Sequence, residues 1–189
     1  AMLRPEASTW RQLDRFDAAI ALARQAGAPL TTIHAANSSG TMMFPRARRD
    51  LVRVGLALYG NGTWPSDAGL PTPRRPGLRF VSHVAQLRRV EAGARVGYGG
   101  LWTAPRPTLV AVLPVGYADG LPRRITGRGQ AIVAGRRVPM VGAVSMDMVV
   151  VDVTDLPGVE IGDEAVVLGI GRGRYGTDRI TAAELAGWA

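Results

Sequence analysis

Residues 61–76 read Asn-Gly-Thr-Trp-Pro-Ser-Asp-Ala-Gly-Leu-Pro-Thr-Pro-Arg-Arg-Pro. Proline cannot donate to a helix or a strand ladder, and glycine is costly in either, so this run breaks any regular element. It reads as a linker between residues 1–60 and 77–189, and the two sides carry different patterns. On the first side, Thr9 with Gln12 is a capping-box pair, and Trp10, Leu13, Phe16, Ile20 and Ala23 follow at helical spacing up to Gly27 and Pro29. A strand is expected over 30–36, running into the polar turn Asn37-Ser38-Ser39-Gly40. Residues 51–60 alternate, with Val52, Val54, Leu56 and Leu58 on one face and Arg53, Gly55, Ala57 and Tyr59 on the other. Such a segment is either a surface strand with an exposed arginine or a barrel strand whose small residues leave room for a ligand that Arg53 contacts.

Beyond the break the pattern becomes β. Segments 78–91, 108–117, 130–134, 137–144, 147–153 and 164–169 read as strands between turns such as Ala134-Gly135-Arg136 and Ile161-Gly162-Asp163. Short strands at this spacing predict a compact barrel or sandwich. Thr181 with Glu184 opens a further helix near Ala182. The expected fold is therefore α+β and mainly β: a portion of a TIM-like barrel, then a compact β-barrel-like domain. Two barrel strands cannot close a barrel, so the pattern predicts a fragment or a chain completed by another.

Composition narrows the chemistry. Every one of the 23 basic residues is Arg, and the chain has no Lys and no Cys. Guanidinium stays protonated and forms no imine, so a covalent carbonyl anchor has no candidate here, and thiol chemistry and disulfides are excluded. Two histidines, His34 and His83, are too few for a histidine metal cluster. The net charge of +8 is spread over scattered arginine pairs with few aromatics between them, which argues against nucleic acid. The apolar runs are short against the roughly 20 residues of a membrane span, and the opening residues turn polar at once, so the expectation is a cytoplasmic chain.

Three motifs stand out. Val96-Gly97-Tyr98-Gly99-Gly100 sets a phenol among glycines, which either opens it to a ligand or another chain, or leaves an aromatic covering a barrel rim. Gly116-Tyr117-Ala118-Asp119-Gly120 looks like a turn in which Asp119 plays an Asx role. Val144-Ser145-Met146-Asp147-Met148 puts a carboxylate inside an apolar segment, so Asp147 must be paired or lie at the edge of a site.

Taken in order with His34-Ala35-Ala36-Asn37-Ser38 and the segment 52–60, these motifs resemble the alanine racemase family, from about Gln12 to the last residue. The resemblance implies a barrel holding pyridoxal 5'-phosphate, a β domain that completes the site of a partner subunit, and a homodimer interconverting L- and D-alanine for cell-wall precursors. Tyr98 would be the acid/base on one face of the substrate. Arg53 would face the cofactor's ring nitrogen, and Ser38 with the backbone at Gly55 and Leu56 would hold its phosphate. His34 would support Arg53 or be a core histidine. Tyr117 and Met146 would line the substrate entrance. The family's cofactor lysine would lie before Ala1, and a tyrosine touching the phosphate beyond Ala189.

Two rivals remain. One is a non-catalytic dimerisation or ligand-binding β-domain module. The other is the similar plan of pyridoxal-phosphate decarboxylases of basic amino acids, which usually carry a cysteine in the β domain.

Overall fold

The computed structural model describes residues 7–60 and 76–189. They fall into two compact units, one ending at Gly77 and the other spanning Leu78–Ala189. Nearly all of 61–76 lies outside the described residues.

In the first unit, helix α1 spans Ala7–Gln25. Leu13 is buried, and Phe16, Ile20 and Ala23 are half-buried on the same stripe. The helix ends where the sequence placed its stop. Gly27 turns to φ +77, its amide donates to the carbonyl of Arg24 at 3.0 Å, and that of Ala28 to Ala23 at 2.9 Å. This pair of bonds satisfies two carbonyls the last turn leaves open, in a backbone conformation glycine adopts without strain. Its start differs from expectation, because Ala7 and Ser8 are already helical and Thr9 sits in the first turn.

The following chain packs on α1 by aromatic and charged contacts. Trp10 meets Phe44 edge to face at 5.2 Å. Arg46 reaches Asp14 and Asp17, each at 2.6 Å, and Arg49 also pairs with Asp17. The Arg46 hydrogen bond holds the Asp17 carboxyl below the ordinary carboxylate range, with Arg49 adding to the effect.

The two strands expected in this unit form only partially. Residues 30–36 and 51–53 run parallel, with Asp50 N donating to Ile33 O at 3.1 Å, a bridge between His34 and Leu51, and Arg53 N donating to Ala36 O at 2.8 Å. A single short parallel contact is too little to make either segment a ladder. Beyond Gly55 the chain leaves the strand direction altogether: Leu58 N donates to Gly55 O at 2.9 Å and Gly60 N to Ala57 O at 3.1 Å. Turn bonding within 55–60 therefore replaces the predicted alternation, and Val52, Val54, Leu56 and Leu58 are exposed in this unit.

The second unit is an antiparallel sheet of strands β1 (Phe80–His83), β2 (Gln86–Val90), β5 (Thr108–Leu113), β6 (Gln130–Val133), β7 (Arg136–Val141), β8 (Val149–Asp152), β9 (Glu164–Gly173) and β10 (Gly176–Ile180). A two-residue pair, β3 (Arg95–Val96) with β4 (Trp102–Thr103), stands apart from it. The sheet runs β1-β9-β6-β7-β8-β5-β2, with β10 added on β9. Its two ends are consecutive strands joined by Val84 and Ala85, so the sheet must curl back on itself.

That link explains why 78–91 is two strands where one was expected. Val84 N donates to Asp163 O and Ala85 N to Val112 O, each at 2.9 Å, so the chain leaves one end of the sheet and enters the other at a fully buried valine. Inside lie Leu113, Leu121, Ile125, Val133, Val151, Val153 and Val167. Each contributes about 1.5–3 kcal/mol of burial. The β6–β7 hairpin turns through Ala134 and Gly135, both left-handed, at φ +46 and +94. This two-residue geometry matches the twist of its strands.

The last helix, α3 (Ala182–Trp188), carries the expected capping box: Glu184 N donates to Thr181 Oγ1 at 3.1 Å and Thr181 N to Glu184 Oε2 at 2.8 Å. Arg137 on β7 then ties it to the sheet, reaching Glu184 at 2.8 Å and Asp178 at 3.2 Å.

Candidate functional site

The candidate residues form two groups, one in each unit. In the first, the turn after residue 36 begins helix α2 (Ser38–Met43), with Asn37 Oδ1 accepting the amide of Gly40 at 2.9 Å. This cap directs the Ser38 hydroxyl toward the neighbouring segment, where its oxygen accepts the amides of Gly55 at 2.9 Å and Ala57 at 3.3 Å. A Cβ built on Gly55 would meet nothing within 4 Å, so the backbone there borders open space. Next to it, Arg53 NH1 contacts His34 Nδ1, placed by the parallel pairing of the two segments.

His34, Ser38, Arg53 and Gly55 are thus brought together, and Leu56 lies on the same turn, 51% exposed. Ala57 joins the group although the sequence did not single it out. The clue was its place on the small-residue face of 51–60, two residues after Gly55. A cavity of about 340 Å³ against α1, lined by Asp17, Ile20, Arg24, Ile33, Arg49 and Asp50, contains none of the candidates.

In the second unit the segment Gly142–Met146 is a platform for two others. Tyr117 N donates to Ser145 O at 3.0 Å and Ala118 N to Met146 O at 2.9 Å, which joins Tyr117 to Met146. The approach is close enough that a Cβ on Gly116 would lie 2.4 Å from Met146 O. Asp119 closes the turn, but not by the Asx bond expected of it: its Oδ2 accepts the amide of Gly116, three residues earlier, at 2.8 Å, as the third residue of a capping box does. The Arg123 guanidinium lies 5.9 Å from the centre of the Tyr117 ring.

The loop between β3 and β4 reaches the same platform through Gly97, whose Cβ would stand 3.1 Å from Ala143 N. Tyr98 follows at the crest of this loop, 76% exposed, with Tyr117 at 44% and Met146 at 57%. Three solvent-facing side chains of the candidate set therefore stand on segments held by one short stretch of backbone.

The apolar strand expected around Asp147 gives way to a bend that leaves the residue exposed beside Met146. Residues 145–148 are a bend, in which Ser145 Oγ donates to Met148 O at 2.8 Å and accepts Met148 N at 3.2 Å. The carboxylate is consequently exposed and does not need a buried partner. His83, on β1, belongs to neither group. Among the described residues no cluster of three or more acidic, histidine or cysteine side chains is placed to hold a metal ion, and no helix is long and apolar enough to cross a membrane.

Residues 78–189 match the family model for the alanine racemase C-terminal domain, and residues 2–62 the model for the alanine racemase N-terminal domain. The chain belongs to the alanine racemase family. It is 46% identical to the alanine racemase of Sorangium cellulosum over 154 residues, which is 82% of this chain and 40% of that protein. The crystal structure of alanine racemase from the D-cycloserine-producing Streptomyces lavendulae superimposes with a TM-score of 0.80 at 38% identity, covering 98% of this chain and 47% of the other. Alanine racemase from Bartonella henselae, whose structure carries covalently bound pyridoxal phosphate, gives 0.75 at 30% identity over 97% of this chain and 47% of the other. The chain thus spans less than half the length of each of these alanine racemases.

Proposed function

We propose that these 189 residues belong to an alanine racemase that interconverts L- and D-alanine with pyridoxal 5'-phosphate, and that the lysine anchoring the cofactor comes from outside them. The observation that carries this reading is the convergence of the Gly55 and Ala57 amides on one oxygen, Ser38 Oγ, beside the Arg53–His34 pair. Two backbone donors, a hydroxyl and a nearby guanidinium suit an anionic phosphate, and the open space at Gly55 admits one. When bound, the cofactor withdraws electrons from the substrate α-carbon and so makes its proton removable.

The chain's own residues then divide the work. Ser38 and the amides at Gly55, Leu56 and Ala57 hold the phosphate. His34 fixes the Arg53 guanidinium toward the cofactor ring nitrogen. As a permanent cation that guanidinium would donate a hydrogen bond to the ring nitrogen without giving up its proton. The Tyr98 phenol oxygen takes the α-proton of L-alanine, and the lysine serves the opposite face, since racemisation needs a proton acceptor on each side.

Tyr117 and Met146 narrow the entrance. The exposure of Tyr98, Tyr117 and Met146 supports a homodimer in which one subunit's β domain completes its partner's site. The reading places the reaction in the cytoplasm, supplying D-alanine for cell-wall precursors, and expects the 189 residues alone to be inactive. The division of the chain follows the sequence: residues 1–60 belong to the barrel, 61–76 form the linker, and 77–189 make the β domain.

The test is to express the complete reading frame and the 189 residues separately, assay both with L- and D-alanine, and treat both with borohydride in the presence of pyridoxal phosphate. Racemisation and a trapped cofactor in the complete protein alone are expected. Stable cofactor trapping in the 189 residues would overturn the dependence on an external lysine, and no racemisation by the complete protein would favour a non-catalytic module.

A further inference from the structure

Tyr98 is mostly exposed, so its own packing does little to fix the phenol, and its position depends on the backbone that carries it. That backbone is unusually free. Gly97, Gly99 and Gly100 all take positive φ, at +75, +69 and +55, and such residues lose the most conformational entropy when ordered. The near side of the loop is fixed by packing, with Gly97 on Ala143 and a Cβ on Gly142 placed 2.8 Å from Val96 O. The far side is held by a side chain. Arg95 Nε donates to Gly100 O at 3.2 Å and Arg95 NH2 to Gly99 O at 3.3 Å, one edge of the guanidinium spanning two successive carbonyls.

The arginine lies so close across the loop that a Cβ on Gly100 would stand 2.5 Å from its Nε. The missing side chain at Gly100 therefore serves two purposes, admitting the left-handed turn and leaving the guanidinium its place. Gly100 N also donates to Gly97 O at 3.1 Å, so the clamp closes a small ring around Tyr98.

We infer that Arg95 is a positioning residue for Tyr98, clamping the glycine loop so that the phenol is presented in one place. The inference rests on the reading of Tyr98 as the acid/base for L-alanine, and it concerns a residue that touches neither substrate nor cofactor. A planar two-donor edge suits two adjacent carbonyls better than the point charge of a lysine, so Arg95→Lys would keep some of the clamp and Arg95→Ala none.

Two measurements test it. In the 189-residue chain, hydrogen exchange of peptides covering 97–101 is expected to speed up about tenfold in R95A and less in R95K, while β5–β8 amides keep their wild-type protection. In the complete enzyme, kcat of R95A should fall about ten- to a hundredfold, as small misplacements of a reacting group do. The deuterium isotope effect with L-[2-²H]alanine should rise in R95A while that with D-[2-²H]alanine falls, because in that direction the slowed Tyr98 step follows the lysine's proton abstraction, with R95K between.

This directional difference is informative because the equilibrium fixes the ratio of kcat/KM in the two directions, and a general loss of structure would move both isotope effects alike. Unchanged exchange at 97–101, or isotope effects that move together, would overturn the inference. Tyr98→Phe separates the two claims: if it racemises normally, the reading of Tyr98 fails whatever Arg95 does, and if it is inactive while R95A behaves as wild type, only the clamp fails.

Discussion

The Ser38 hydroxyl oxygen accepts the Gly55 amide at 2.9 Å, joining positions 17 residues apart at the end of two parallel segments. Residues expected to hold the same phosphate are thus engaged with each other, so the donors are already aimed at a single point and little reorganisation is needed when an anion replaces the serine oxygen as acceptor.

Ser38→Ala removes that acceptor and, on the proposed function, one phosphate contact. In the complete enzyme it is expected to weaken cofactor affinity about tenfold, equivalent to about 1.4 kcal/mol, read by fluorescence titration. Affinity unchanged within twofold would argue against a phosphate site at this turn.

Gly97→Ala places a Cβ at 3.1 Å from Ala143 N in a backbone conformation with φ +75. The neighbouring backbone must yield, and Tyr98 moves with it. Turnover should drop about ten- to a hundredfold in the complete enzyme with a Tm shift of only a few degrees, measured by coupled assay and calorimetry.

The β6–β7 turn offers a pair of opposite outcomes. Ala134 is left-handed at φ +46, which strains a side-chain-bearing residue, so Ala134→Gly is expected to be stabilising by about 0.5 kcal/mol once glycine's greater unfolded entropy is set against the strain relieved. Gly135→Ala should cost about 2–3 kcal/mol, because its Cβ would stand 2.2 Å from Gly176 O. Urea denaturation of the 189-residue chain distinguishes them.

Glu184 joins the α3 cap to Arg137. Its carboxyl sits below the ordinary glutamate value of 4.5, first because the Thr181 amide and hydroxyl donate to it and then because of Arg137. A depressed folded value means the stabilisation is present above the ordinary value and is lost as pH falls through the lowered one. Wild type should therefore lose stability below about pH 4.5 more steeply than Glu184→Gln. At neutral pH the substitution should cost about 1 kcal/mol, both read from thermal melts across the pH series.

Local chemistry explains which features were legible in the sequence. The α1 stop at Gly27, the Thr181–Glu184 cap, the existence of a turn at 116–120 and most of the short strands each depend on a few adjacent residues. What the sequence concealed depends on partners far along the chain. Residues 78–91 look like one strand until Asp163 and Val112 draw Val84 and Ala85 to different ends of the sheet. The alternation of 51–60 looks like a strand until Ser38 captures two of its amides. Arg95 had no motif to mark it, since its significance lies in two carbonyl contacts that only the folded loop creates. The grouping of Tyr98, Tyr117 and Met146 was accessible only by resemblance, because the platform joining them is backbone of unremarkable sequence.

The link at Val84–Ala85 also sets an order of assembly. Strand β2 pairs with β5 across the segment that holds β3 and β4, and the β6–β7 hairpin needs only its own turn, whereas β1 pairs with β9 in a register that sets Phe80 against Leu168. A strand emerging early from the ribosome thus waits for one made much later, and the entropy of so long a closure makes this seam the slow event of folding. Until then β1 and its exposed Val81 offer an unpaired edge to other nascent chains, so the corner that sends β1 away from β2 toward the late strand β9 also determines how long the growing domain stays open to misassociation.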